Sequence, residues 1–168
     1  MALFASWSPG IAFMPAEIPG DMVQVGNVEW TAILGLRQSG GATFQGRTGT
    51  SNWFHVPIAT PVIISDKRVK LARVFVMFQC GDASKNNADL AGCNVTRIDV
   101  WDGPNRIHRF GPVKLFGEHR FKFDTNNMHA MPAPHPDIFF GIELAVQVSF
   151  SMDNFPITFA SAGADFDA

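Results

Sequence analysis

The sequence predicts an all-β fold: a single-domain, two-sheet β-sandwich of jelly-roll type with irregular N- and C-terminal arms. Apolar and polar residues alternate with a period of two along several segments, and no window of about ten residues shows helical periodicity. Turn residues recur roughly every 8–15 positions, as they do in sandwiches and barrels. The length of 168 residues suits one domain, and 15 Gly and 11 Pro suit many short strands.

Residues 1–20 are predicted to form an apolar arm that precedes the domain. The first Lys or Arg of the chain is Arg37 and prolines interrupt the apolar run, a pattern unlike that of a standard signal peptide. The cytoplasm is therefore the default location, with export by another route left open. The favoured expectation is that the arm lies along its own domain. The alternative is that it lies in a neighbouring subunit, with Phe4, Trp7 and Phe13 as its anchors.

Residues 21–160 are predicted to form the sandwich itself. Weak patterns indicate short strands, among them residues 28–36 and 119–123. Residues 71–79 are apolar on both faces, which is typical of a central strand that is covered on both sides. Residues 143–151 alternate most clearly, as a half-buried strand does. The apolar face of this last strand comprises Leu144, Val146, Val148 and Phe150.

A hairpin is predicted near the middle of the chain. Residues 94–101 form its first strand, in which alternation directs Ile98 and Val100 inward. Residues 102–105 contain Gly and Pro, which supply the backbone angles of a turn, and residues 106–110 form the return strand.

The outward face of this hairpin is the candidate ligand-binding site. Alternation places Arg97, Asp99 and Trp101 together on it. An outward Trp beside Arg and Asp suits stacking on a sugar ring or a partner surface. The alternative is a local twist that buries Trp101 at the turn.

Three further stretches are predicted to be irregular. Residues 38–52 are rich in Gly, residues 124–137 are rich in Pro, and residues 161–168 form a C-terminal tail. Long loops in compact domains often carry function, so the first two are candidates for contacting a ligand or partner.

The two cysteines, Cys80 and Cys93, flank a polar segment of the chain. If the flanking runs pair as a hairpin, both thiols lie at its neck and could form a disulfide. Closing a loop of this length stabilises a fold by roughly 3 kcal/mol in the chain-entropy model. A cytosolic location instead favours two reduced thiols, so both states stay open.

Composition excludes several classes of partner. The 13 Lys+Arg are scattered and the formal net charge is −2, so nucleic acid is not an expected partner. No uninterrupted apolar run reaches the roughly 18 residues of a membrane span. Only 17% of residues are charged, and 16 Phe occur without any Tyr. These features favour a dry interface between identical subunits over a sugar-binding surface.

A divalent metal is the one cofactor that the sequence suggests. His129, His135 and Asp137 lie in one Pro-rich segment, and His119 lies ten residues before it. Imidazole and carboxylate are zinc ligands, but their spacing matches no established zinc pattern. Solvated imidazoles in a stiff surface loop are the favoured alternative.

The sequence favours a non-catalytic protein, because it contains no recognisable nucleophile elbow and no paired carboxylates. The leading hypothesis is a homo-oligomeric binding or self-assembling module. One alternative is a lectin-like module that binds carbohydrate through the Trp101 face; a small apolar ligand is also considered. The other is a metal-dependent or cyclase-like enzyme built on His119, His129 and His135.

Three segments resemble a family of small bacterial proteins of unknown function. They are residues 49–64, 74–78 and 98–107, and the likeness covers roughly residues 28–150. The resemblance implies a small, single-domain, largely β protein. It carries no catalytic residues over to this chain.

Overall fold

The computed structural model describes residues 3–16, 22–23, 35–38 and 40–167. Within them the one helical segment is a 3-10 turn at Gly10–Ala12, and the remaining regular structure is extended. The strands are β1 (Leu3–Pro9), β2 (Met14–Pro15), β3 (Met22–Val23), β4 (Leu36–Gln38), β5 (Gly41–Gly46), β6 (Thr50–Ile58), β7 (Ile63–Ile64), β8 (Lys67–Arg68), β9 (Lys70–Cys80), β10 (Cys93–Asp102), β11 (Asn105–Phe110), β12 (Gly117–Glu118), β13 (Met128–Ala130), β14 (Ile142–Phe150) and β15 (Ile157–Asp167).

Two antiparallel sheets make up the sandwich. Sheet A has the order β12-β9-β15-β5-β3, with β13 also pairing with β9, β1 with β15, and β4 with β5. Sheet B has the order β11-β10-β14-β6-β2, and β7 and β8 pair separately as a small hairpin. The all-β, two-sheet fold class is therefore confirmed, while the jelly-roll connectivity stays a prediction.

The core consists of the inward residues of the two sheets. Phe159 of sheet A is its aromatic centre: it stacks on Phe13 with ring centroids 3.9 Å apart and meets Phe54 of sheet B at 5.4 Å. Each fully buried side chain of this size stabilises the fold by about 1.5–3 kcal/mol. The alternating apolar residues of β14 complete the core from the other side, and all four predicted there are buried.

The strongest sequence patterns are confirmed by these sheets. The apolar run at residues 71–79 is β9, which lies between β15 and β12/β13. Both of its faces are covered, since Val76 points inward with no exposure and Phe75, pointing outward, is only 3% exposed. The hairpin of β10 and β11 also forms, with Asp99 opposite Arg109. Most of the predicted strand at 28–36 lies outside the described residues.

The chain ends differ from the prediction of irregular arms. Residues 3–9 form β1 and pair with residues 161–167 of β15, so both ends belong to sheet A. The predicted boundaries at residues 20 and 160 therefore do not coincide with the edges of the sandwich. The physical reason is that backbone N–H and C=O groups of an apolar segment need partners, and an open strand edge provides them.

One loop prediction and one strand prediction are also corrected. The Gly-rich stretch 38–52 contains β5 and the start of β6, because Ala42 and Phe44 point into the core and glycines lie where the packing is tight. A Cβ at Gly46 would lie 2.1 Å from the Phe150 ring. Residues 119–123, predicted as a strand, are a loop that follows the two-residue strand β12.

Cys80 and Cys93 form a disulfide with a Cα–Cα distance of 5.8 Å. The geometry is not the hairpin neck that the sequence suggested. Cys80 ends β9 in sheet A and Cys93 begins β10 in sheet B, so the bond joins the two sheets.

Candidate functional site

The outward face of sheet B holds a groove of about 310 Å³. Strands β10, β14 and β6 form its base, because their register places Asp99, Ala145 and His55 side by side. Ala145 has the smallest of the three side chains and is 2% exposed, so it forms the floor. The groove exists because a small residue lies between larger neighbours on the same face of the sheet.

Two tryptophans border the groove at diagonally opposite corners. Trp53 of β6 lies opposite Gln147 of β14, and Trp101 of β10 lies opposite Glu143, four residues further along β14. Standard strand dimensions separate the two Cα atoms by about 13 Å along the strands and about 10 Å across them. Both indoles are half-buried, so each one rests on the sheet and keeps part of its surface open.

A bulge in β10 sets which side chains reach this face. Val95 pairs with Val148 and Arg97 with Gln147, so Thr96 is an extra residue in the strand. The extra residue shifts the alternation by one position. Before Thr96, the odd-numbered residues of the strand therefore point inward. After it, the odd-numbered Arg97, Asp99 and Trp101 point outward.

Asp99 is a buried carboxylate held by two arginines at one side of the groove. Arg109 forms a bidentate pair with it: Nε donates to Oδ1 at 2.7 Å and Nη2 donates to Oδ2 at 2.8 Å. Arg106 Nη1 also donates to Oδ2, at 3.3 Å. Burial alone raises the pKa of Asp99, but the hydrogen bonds and charges of Arg109 and Arg106 outweigh burial and hold the pKa below its ordinary value.

His55 and Glu143 form a second pair on this face, through a hydrogen bond between Nδ1 and Oε1. His55 lines the groove, while Glu143 lines a neighbouring depression of about 340 Å³. The exposed ring of Phe140 borders that depression. The pair thus lies where the two depressions meet.

Arg97 lies beside the groove, in the register row of Trp53. Its guanidinium carbon is 6.0 Å from the centroid of the Trp53 ring. Its Nε is buried and has no hydrogen-bond partner among the described residues. Arg97 therefore brings a third guanidinium to this face of the sheet.

The structure brings the predicted ligand-binding residues to one face. Trp101 and Asp99 line the groove, and Arg97 lies next to Trp53, which also lines it. The sequence did not predict Trp53 and His55 as residues of this site. The alternation in β6 was the signal that could have found them, since Phe54, Val56 and Ile58 are buried on the other face.

The predicted metal ligands do not converge. His119 Nδ1 bonds to Asp124 Oδ2 at 2.7 Å, and its Nε2 donates to the Phe116 carbonyl at 2.9 Å. Both ring nitrogens of His119 thus lie against oxygen atoms of its own chain and do not face an open coordination position. His135 Nδ1 instead bonds to Asp167 on β15.

The other two predicted ligands are positioned by backbone pairing with β9. His129 belongs to β13, and Asp137 forms an isolated bridge with Lys70. Across the described part of the chain, no three His, Cys, Asp or Glu residues are grouped so that they could hold a metal ion. The physical reason is that hydrogen bonds hold His119 and His135 against different carboxylates, Asp124 and Asp167.

The three predicted anchors of the N-terminal arm all lie on their own chain. Phe13 is fully buried in the core, which leaves it no role as an anchor in a neighbouring subunit. Trp7 stacks on Phe75 on the outward face of sheet A, with ring centroids 5.3 Å apart. Phe4 lies in β1 and is 38% exposed.

Comparisons with known proteins give one solved structure. No family model matches the chain, and no curated protein matches it. The chain is similar to a low-affinity xylan-binding module, CBM86, from the gut symbiont Roseburia intestinalis, with 9% identity and a TM-score of 0.47 over 98% of this chain and 96% of that chain. No helix among the described residues is long and apolar enough to cross a membrane. We therefore base the functional proposal on the groove itself.

Proposed function

We propose that this protein is a non-catalytic carbohydrate-binding module and that the groove of sheet B holds an oligosaccharide. The observation that carries the proposal is the pair of partly open indoles, Trp53 and Trp101, on either side of the floor formed by Ala145. The C–H groups on the face of a sugar ring pack well on the electron-rich face of an indole. Polar groups beside each indole can then bond to the hydroxyls.

The size of the groove favours an oligosaccharide over a single sugar. The Cα atoms of the two tryptophans are about 16 Å apart by standard strand dimensions, and the depression beside Phe140 extends the groove past Glu143. A surface of this length suits several linked rings. Open grooves of this kind admit a chain from the side and do not enclose it.

The contacts of the N-terminal segment weigh against the hypothesis that the protein self-assembles through this segment. Residues 3–9 complete sheet A of their own chain, and Phe13 fills their own core. The prediction that the protein is a homo-oligomer does not need this arm and stays a prediction.

The test is binding to a panel of soluble polysaccharides, followed by titration calorimetry with oligosaccharides of the one bound best. We expect Trp53→Ala and Trp101→Ala each to weaken binding by about tenfold or more, which corresponds to about 1.4 kcal/mol. Trp7→Ala is the matched control, because it removes an exposed indole from the opposite sheet. Equal weakening by all three variants, or binding to no saccharide at all, would refute the proposal.

A further inference from the structure

Among the described residues, the outward face of sheet B carries more positive than negative charge. Three guanidiniums, those of Arg97, Arg106 and Arg109, face it together with two carboxylates, those of Asp99 and Glu143. The chain as a whole has a formal net charge of −2. The described part of this face thus has a positive net charge, whereas the net charge of the whole protein is negative.

We propose that the ligand of this groove is an acidic oligosaccharide, with an anionic carboxylate or sulfate group on the sugar ring that stacks near Trp101. The inference rests on the proposed function and specifies its ligand class. It follows from which polar groups of the groove are free to bond and which are already occupied.

The carboxylate that lines the groove is occupied. Asp99 is 3% exposed and accepts three hydrogen bonds from Arg106 and Arg109. Glu143 lines the neighbouring depression, where its Oε1 accepts a hydrogen bond from His55 and its side chain is 44% exposed. A neutral sugar needs acceptors for its hydroxyl protons, and the carboxylate inside the groove is already bonded to protein donors.

The donors of the groove remain available. The side chain of Arg106 is 44% exposed and uses one N–H on Asp99, and that of Arg109 is 36% exposed. Each guanidinium has five N–H groups, so Arg106 and Arg109 both have N–H groups beyond those bonded to Asp99. A guanidinium bonds to carboxylate or sulfate oxygens with two parallel hydrogen bonds, and these bonds are stronger than bonds between neutral groups.

Arg106 also lies against the stacking platform. Its guanidinium carbon is 6.0 Å from the centroid of the Trp101 ring. A sugar ring that stacks on Trp101 would bring an anionic substituent within reach of Arg106. The same residues can therefore recognise the face of the ring and its charge.

The test compares matched pairs of acidic and neutral ligands at low salt. The pairs are oligogalacturonate with its methyl ester, and dextran sulfate with dextran, so the arms distinguish carboxylate from sulfate. We expect at least one acidic ligand to bind about tenfold or more tightly than its neutral partner and to lose affinity as salt rises. Arg106→Gln should abolish this preference while leaving the two-armed Asp99–Arg109 pair in place.

Arg47→Gln is the charge-matched control, since Arg47 is exposed in the turn before β6, at the end of the strand away from Trp101. Equal binding of acidic and neutral partners, or an acid preference that survives in Arg106→Gln, would overturn the inference and leave the proposed function standing. Failure to bind any saccharide would overturn both.

Discussion

His129 is the residue whose environment most clearly opposes a charge. Its Nε2 is buried and has no hydrogen-bond partner among the described residues, and its ring packs on Phe110 with centroids 5.1 Å apart. Desolvation lowers the pKa of His129 below 6.5, although a hydrogen bond to the backbone of Asn126 and the charge of Asp124 partly oppose it. The folded protein therefore favours the neutral imidazole.

From this environment we predict that the protein loses stability as the pH falls. The unfolded chain takes up the His129 proton near pH 6.5, whereas the folded protein takes it up only at lower pH. Between these values the unfolded state binds more protons, so the free energy of unfolding falls as pH falls, by at most about 1.4 kcal/mol per pH unit.

Urea denaturation from about pH 8 to pH 5 tests the prediction with wild type and His129→Gln. The stability difference at about pH 8, where an imidazole of ordinary pKa is mostly neutral, gives the cost of changed packing. Relative to that difference, the variant should lose less stability on acidification. If the free energy of unfolding depended on pH in the same way in both proteins, His129 would not contribute to the pH dependence.

At the scale of elements, β1 depends on a single glycine in its partner strand. Trp7 of β1 lies opposite Gly163 of β15 and reaches across it to stack on Phe75. A Cβ at Gly163 would lie 2.7 Å from the Ser6 carbonyl oxygen and 2.8 Å from Cδ2 of Trp7. The absence of a side chain at this position thus allows the edge strand and its indole to lie flat on sheet A.

Gly163→Ala is therefore expected to displace β1 and to lower the free energy of unfolding by about 1–3 kcal/mol, the usual cost of overpacking. Gly40→Ala is the control, because a Cβ there would meet no atom within 4 Å. Chemical denaturation gives the stability change, and tryptophan fluorescence reports the exposure of Trp7. Equal stability of both variants would mean that β1 adjusts without cost.

For the whole molecule, the disulfide is the covalent link between the sheets. Cys80 and Cys93 are 13 residues apart in sequence and hold the end of β9 to the start of β10. Disulfides of this kind persist in oxidising compartments and are rare in the cytosol. The cytoplasmic location expected from the sequence stays a prediction.

The double variant Cys80→Ala/Cys93→Ala should lower the free energy of unfolding by about 2–4 kcal/mol, because the unfolded chain regains the freedom of the closed loop. Denaturation with and without reductant measures the effect. Reductant should destabilise the wild type and leave the double variant unchanged. Two free thiols in the native protein from its own host would contradict the bond.

The strands with an uninterrupted period of two were predictable. β14 is recognisable because the apolar Leu144, Val146 and Val148 alternate with small or polar residues, and the pattern needs no knowledge of its neighbours. β5 was missed because glycines occupy positions where Phe150 and Phe159 pack closely, and a glycine has no side chain to show a pattern. β1 was missed because its partner is β15, more than 150 residues away in sequence.

The candidate site, too, was only partly predictable from the sequence. The sequence by itself determined that the protein is all-β and that Arg97, Asp99 and Trp101 share an outward face, because alternation is a local property of a strand. Only the tertiary structure decided that β6 lies two strands from β10, which brings Trp53 across from Trp101 and leaves Ala145 as a floor between them. Strand neighbours are chosen by long-range packing and hydrogen bonding, and a groove between side chains of different strands exists only after that choice is made.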